Sequence, residues 1–206
     1  MLRQISLQDS VVYGPLRSRR LGNSLGINPL PLGRKVCSSN CVYCQYGWTV
    51  SNGGGEPMKR AAELVPLIEE AFQEIIEQGI PIDCITFAGN GEPTLHPDLE
   101  QLVTEVKRLR DQYYPAAKVG ILSDATQAHR PAVARALRAL DVRYMKLDGG
   151  DEAMWRRITQ PFGGAPGPTR RAARPGSGQG RAGGAGDWTT MIAALKNLPD
   201  ITLQSM

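Results

Sequence analysis

Three of the chain's four cysteines fall within eight residues, in the run Cys37-Ser-Ser-Asn-Cys41-Val-Tyr-Cys44. Gaps of three and then two residues let a single loop wrap three thiols around one centre. Where thiols are kept reduced, cysteines this close serve metal binding or catalysis more often than a disulfide framework. Residues 1–20 carry Arg3, Asp9, Arg17, Arg19 and Arg20 with no apolar block between them, so no secretory signal is visible. The apolar runs fall short of the roughly 20 residues that span a bilayer. A cytoplasmic chain with no membrane association is expected.

The thiol run admits two kinds of centre. A structural zinc site wants four ligands in a closed tetrahedron. Cys84, His96 and His129 are the candidates for the fourth, and none belongs to a second paired motif. An iron–sulfur cluster held by three cysteines leaves one iron open to a non-protein ligand, which is chemically useful.

Apolar periodicity places the rest of the chain. Residues 33–37, just before the first cysteine of the run, read as a short strand. Residues 58–78 read as a helix with Leu64, Leu67, Ile68, Ala71, Phe72, Ile75 and Ile76 at three- and four-residue spacing. Pro66 within it predicts a kink or a later start. Residues 82–88 read as a buried strand, 98–113 as a helix, and 118–122 as a strand. Pro131 opens a helix to residue 140 in the favoured first-turn position. Residues 142–148 read as a strand, 152–158 and 190–197 as helices, and 201–205 as a last strand. Strand–helix alternation repeated five times predicts a parallel α/β sheet curled into a partial TIM-like barrel. Active sites in such sheets gather at the carboxyl ends of the strands. The cysteine loop, residues 89–92, Ser123–Asp124 and Asp148 each follow a predicted strand.

Four stretches together carry a resemblance. They are the cysteine run with Tyr43 before its last cysteine, Tyr13-Gly-Pro-Leu-Arg-Ser-Arg-Arg-Leu-Gly-Asn-Ser-Leu-Gly-Ile-Asn28, Gln45-Tyr-Gly-Trp-Thr49, and Gly89-Asn-Gly-Glu-Pro-Thr-Leu-His-Pro97. The chain resembles the radical S-adenosylmethionine (radical SAM) superfamily, and within it proteins related to wyosine-type tRNA-modifying enzymes. The likeness covers most of residues 11–160 and resumes at about 189. It implies a (β/α)6-type barrel and a [4Fe–4S] cluster on Cys37, Cys41 and Cys44, with S-adenosylmethionine on the fourth iron. It further implies reductive cleavage to a 5′-deoxyadenosyl radical, hydrogen abstraction from a substrate such as a tRNA base, and an electron donor such as a flavodoxin or ferredoxin. Glu92 matches the position that meets the SAM amino group, with Gly89 and Gly91 permitting close backbone approach. Tyr43 lies beside the adenine by the same likeness. Ser123 and Asp124 would meet the methionine carboxylate or the ribose. Asp124 departs from the expected Asn, and its carboxylate would repel that of SAM. Asp148 either bonds ribose or substrate, or caps the next helix. A non-catalytic iron–sulfur or zinc module that contacts RNA is the alternative.

Other residues have plain readings. Cys84 is expected as an inert buried thiol. His96 is expected to serve its loop. Arg17, Arg19 and Arg20 either clamp an anionic substrate or a tRNA phosphate, or serve on a solvated surface or in a buried ion pair. Trp48 either shields the cluster or packs.

Residues 163–186 break the pattern. Nine Gly, five Ala, four Arg and three Pro make up 21 of these 24 residues, with no large apolar side chain. Such a stretch cannot join a core and is expected to be a disordered loop. It is either a Gly/Arg-rich segment that contacts RNA or a stretch read out of frame. All four residue types have codons made of G and C alone, which favours the second reading. Arg170, Arg171, Arg174 and Arg181 are its only charges, so the whole net charge of +4 resides there. The remaining chain is neutral, and its charge is no argument for nucleic-acid binding. Residues 1–206 thus read as one domain with residues 1–32 as a lead-in, a sixth barrel strand missing, and a chain truncated after the fifth.

Overall fold

The computed structural model describes residues 5–49, 56–162 and 187–204. The segment 163–186, and with it the question of its reading frame, lies outside the described residues.

Six strands form one sheet in chain order, β1 (Val12–Ser18), β2 (Gly22–Ile27), β3 (Cys84–Phe87), β4 (Lys118–Ser123), β5 (Val142–Lys146) and β6 (Ile201–Gln204). β1 and β2 are an antiparallel hairpin, and β2 through β6 run parallel. The helices between them are α1 (Ala61–Glu77), α2 (Leu99–Tyr113), α3 (Pro131–Ala139), α4 (Glu152–Thr159) and α5 (Trp188–Lys196). The strand order keeps β1 and β6 on opposite edges, so the sheet is an open, partial barrel.

The expected strand at 33–37 is corrected. Only Val36 in that stretch pairs, through a single bridge to Gly91. The first parallel strand is β2, inside the stretch expected to be a lead-in. Gly22-Asn-Ser-Leu-Gly-Ile27 has too few branched or aromatic residues to read as a strand. Its Leu25 and Ile27 are wholly buried, and they pair in register with Ile85 and Phe87 of β3. Tertiary pairing overrides weak local preference here. The five parallel strands expected are present, with the first moved upstream of the cysteines.

The helices follow their periodicity. Ala61, Leu64, Ile68 and Phe72 of α1 are buried, as are Leu99, Leu102, Val103, Val106 and Leu109 of α2. α1 starts at Ala61, three residues later than expected, and Pro66 lies inside it, not at its start. An interior proline costs about 3 kcal/mol. Burying Leu64, Ile68 and Phe72 returns about 2 kcal/mol each and outweighs it. α1 starts with Glu63 accepting from the Arg60 backbone N–H at 2.8 Å. α5 begins at Trp188, two residues before the expected start, because the Asp187 side chain accepts from Thr190 N–H at 2.9 Å. Trp155 of α4 packs against Trp188, with ring centroids 5.7 Å apart. No helix among the described residues is long and apolar enough to cross a membrane.

Candidate functional site

Four loops leave the carboxyl ends of β2, β3, β4 and β5, and each carries one of the sequence motifs. The cysteine loop is held at both flanks. Val36 N–H donates to Asn90 O at 2.8 Å, and Glu92 N–H donates to Val36 O at 2.9 Å. Gly91 has φ +139°, and a Cβ there would stand 1.8 Å from Val36 O. Gly89 has φ +152°, and its Cβ would meet Asn28 Oδ1 at 2.3 Å. Both positions demand glycine so that this loop can lie against the cysteine segment. On the other flank, Val42 N–H donates to Ile158 O at 2.9 Å, and Phe162 N–H to Ser38 O at 2.9 Å. The end of α4 therefore braces the loop.

Cys37, Cys41 and Cys44 are free and half-buried. Cys44 N–H donates to Cys41 O at 3.0 Å, which turns the chain between them. Burial, then the nearby Asp124 and Glu92 carboxylates, push the Cys37 thiol well up. Burial and Asp124 push Cys41 up to about 11. These are thiols that ionise when a metal centre supplies positive charge. No group of three His, Cys, Asp or Glu among the described residues converges on a single-ion site. Three thiols on one loop are the donor type of an iron–sulfur centre. Cys84 is apart from them. It is buried at the start of β3 with its Sγ 3.4 Å from Thr86 Oγ1, an inert thiol as expected.

Glu92 is 3 % exposed. Its Oε1 accepts from Thr94 N–H at 3.0 Å, Thr94 Oγ1 at 2.5 Å and Ser123 Oγ at 2.8 Å. Its Oε2 accepts from Asp124 N–H at 2.6 Å. Burial and then the Asp124 charge push its pKa up to about 8. Ser123 is thus spent on Glu92. Asp124 is spent on the protein as well. Its Oδ2 accepts from Ser38 Oγ at 2.6 Å, and its Oδ1 from Thr126 N–H at 3.0 Å and Thr126 Oγ1 at 2.6 Å. The departure from Asn therefore has a local purpose. A carboxylate accepts all three bonds, and through Ser38 it grips the cysteine loop.

Asp148 is 2 % exposed and accepts from the Tyr43 hydroxyl through Oδ2. Lys146 Nζ sits 3.9 Å from the centre of the Tyr43 ring. Burial and then the Asp148 hydrogen bond raise the Tyr43 pKa far above its usual value. Asp148 does not cap α4. Asp151 does, accepting from Met154 N–H at 2.8 Å. Among the described residues, Asp148 Oδ1 is buried with no hydrogen-bond partner. An unpaired buried acceptor costs about 1–3 kcal/mol, and a bound ligand's hydroxyl or ammonium would recover it. The donor set and this orphaned oxygen fit a cluster and a polar ligand beside it.

The remaining expectations sort by place. Arg17, Arg19 and Arg20 form the exposed tip of the β1–β2 hairpin, where Arg17 pairs with Asn23 and Ser18 with Gly22. That tip is at the amino ends of the parallel strands, away from the four loops, so it forms no clamp at the site. Trp48 is 60 % exposed and does not pack in the core. His96 is buried, with Nε2 2.9 Å from Lys59 O and Nδ1 accepting from Asp98 N–H at 3.1 Å. It serves its loop. Lys35, Ser38, Thr94 and Thr126 are site residues to which sequence reasoning assigned no role. Ser38 lies inside the cysteine motif, and Thr126 two residues past Asp124 is the usual spacing of a side-chain turn.

Comparison with known proteins matches the Radical SAM superfamily over residues 35–172. A UPF0026 protein of Helicobacter pylori strain J99 is 33 % identical over 152 residues, covering 74 % of this chain and 47 % of that protein. The chain spans about half the length of the curated relatives it matches. Among solved structures, native anSMEcpe with bound AdoMet aligns with a TM-score of 0.52 at 15 % identity, covering 86 % of this chain and 42 % of that one. A crystal structure of archaeal TYW1 aligns with a TM-score of 0.44 at 10 % identity, covering 89 % and 55 %.

Proposed function

The chain belongs to the radical SAM superfamily, and on that premise we propose that it holds a [4Fe–4S] cluster on Cys37, Cys41 and Cys44 and cleaves S-adenosylmethionine reductively. One observation carries the reading. The three cysteines, Glu92 and Asp148 all stand on loops that leave the carboxyl ends of neighbouring parallel strands, where ligands gather in such sheets. Cys37, Cys41 and Cys44 would hold the cluster, which would supply the one-electron reducing chemistry needed to cleave a sulfonium.

The chain's own residues position and exclude. Asp124 grips the cysteine loop through Ser38, and the end of α4 braces it from the far side. Glu92 Oε2 takes one bond among the described residues, from Asp124 N–H, and keeps a lone pair for the SAM ammonium. Asp148 Oδ1 is the acceptor for a ribose hydroxyl. Tyr43, held by Asp148 and covered by Lys146, offers its ring beside the adenine. The substrate is a tRNA base on the strength of the motif resemblance, and a flavodoxin or ferredoxin delivers the electron.

Anaerobic reconstitution with iron and sulfide tests this reading. Four irons and four sulfides per chain are expected, with an electron paramagnetic resonance (EPR) signal perturbed by SAM and release of 5′-deoxyadenosine under a reductant. One bound zinc and no iron would sink it. Stimulation of that release by tRNA tests the substrate, and no stimulation by any tRNA counts against it.

A further inference from the structure

Lys35 is a buried cation with an unusual pair of partners. It is 7 % exposed, and its Nζ donates to Gly47 O at 2.8 Å and to Cys44 Sγ at 3.2 Å. Among the described residues no carboxylate pairs with it. An ammonium is strongly hydrated, and burying one costs several kcal/mol unless an opposite charge meets it. A carbonyl oxygen carries no full charge and offsets little of that. A thiolate would offset far more, and Cys44 becomes one when it ligates iron.

The aim of Lys35 is set by its neighbours. Val36 is fixed by backbone bonds to Asn90 and Glu92, and the next residue is the first cysteine of the loop. The charges around the loop are uneven. Asp124 and Glu92 act on Cys37 and Lys35 opposes them there, while only at Cys44 does the ammonium make a direct contact. We infer that Lys35 sets the reduction potential of the cluster through a charge-assisted hydrogen bond to the Cys44 thiolate, an inference that rests on the cluster reading above. Reduction adds one negative charge to the centre. A cation against a ligating sulfur favours the reduced form, and hydrogen bonds to ligand sulfurs tune such potentials. Lys35 is on this reading a positioning and tuning residue that acts through Cys44.

The test is an EPR-monitored redox titration of the reconstituted chain beside Lys35→Met, Lys35→Gln and Lys35→Arg. Lys35→Met is expected to keep its iron and lose about tenfold in the equilibrium constant for reduction, a shift of about 59 mV toward more negative potential for one electron. Lys35→Gln keeps a donor without the charge and falls between. Lys35→Arg restores the charge and stays near the parent. Neutral variants with full iron and an unchanged or more positive potential overturn the inference. If neither neutral variant loads iron while Lys35→Arg does, Lys35 is an assembly residue and the inference also falls. A parent chain that takes up no iron overturns the cluster reading itself, which is a different result.

Discussion

The two ends of the parallel sheet treat their carboxylates in opposite ways, exposed and ion-paired at one end, buried at the other. At the amino end, Asp141 precedes β5 and ties three elements together. It accepts from Lys107 Nζ at 3.0 Å, from an Arg110 guanidinium nitrogen at 3.0 Å and from Val119 N–H at 2.8 Å. Burial alone would raise its pKa, but these partners together hold it below the usual range. At the carboxyl end, Glu92, Asp124 and Asp148 are all buried and bonded to hydroxyls and amides. Among the described residues none of them hydrogen-bonds to a Lys or Arg there. Glu92 is pushed up as a result, by burial first and Asp124 second. The amino end neutralises its acid within the chain and stabilises the fold. The carboxyl end leaves its acids without a Lys or Arg hydrogen bond among the described residues, and perturbed acids of this kind mark functional-site candidates.

The largest expected effect breaks the carboxyl end outright. Cys41→Ala removes one of three thiols, and iron bound after reconstitution should fall from four per chain to near zero. Unchanged iron content in a colorimetric assay would refute the ligand assignment.

The next concerns pH. The folded-state pKa of Glu92 is raised from the ordinary 4.5 to about 8. The folded chain therefore holds a proton that the unfolded chain releases between those values. Without metal, the Glu92 contribution is fully present below about pH 4.5 and is lost as pH rises through about 8, on the order of a few kcal/mol. Urea denaturation at pH 5 and pH 8 should show this fall, and Glu92→Gln should flatten it. Equal slopes in parent and variant would show that Glu92 is not the group responsible.

Asp141→Asn breaks the other end with the opposite sign. The depressed pKa means that its stabilisation is present above the ordinary Asp value and lost as pH falls through the lowered one. The substitution should cost about 1–2 kcal/mol at pH 7, the scale of hydrogen bonds to a charged group discounted for partial exposure. In thermal melts the gap between parent and variant should be widest near pH 7 and narrow as pH falls below the ordinary Asp value. The smallest effect lies at the hairpin tip. Arg19→Ala and Arg20→Ala should change stability by less than about 0.5 kcal/mol and leave iron content untouched, because both residues are exposed and remote from the four loops.

Much of this was legible in the chain before folding. The helices announced themselves because their apolar residues recur at the helical period, and α1 and α2 bury the residues so spaced. Three of the four loops were legible because residues 89–92, Ser123–Asp124 and Asp148 each follow a predicted strand, and the cysteine loop was legible from its own spacing. β2 was not, because Ser24 and Gly26 give no strand signal without Thr86 and Tyr13 to pair with. Nor were the roles of Asp124 and Ser38, which lie 86 residues apart in sequence and 2.6 Å apart in space.

Sequence alone determined the donor set, the α/β alternation and the absence of net charge outside residues 163–186, since these depend on residue type and local spacing. Only the tertiary structure decided where charge is paired and where it is left bare. It placed Asp141 among cations, Glu92 and Asp148 among amides and hydroxyls, and Lys35 against Cys44. The physical reason is that desolvation and charge pairing depend on what surrounds a group in space. The neighbours that matter here come from strands and loops distant in the chain.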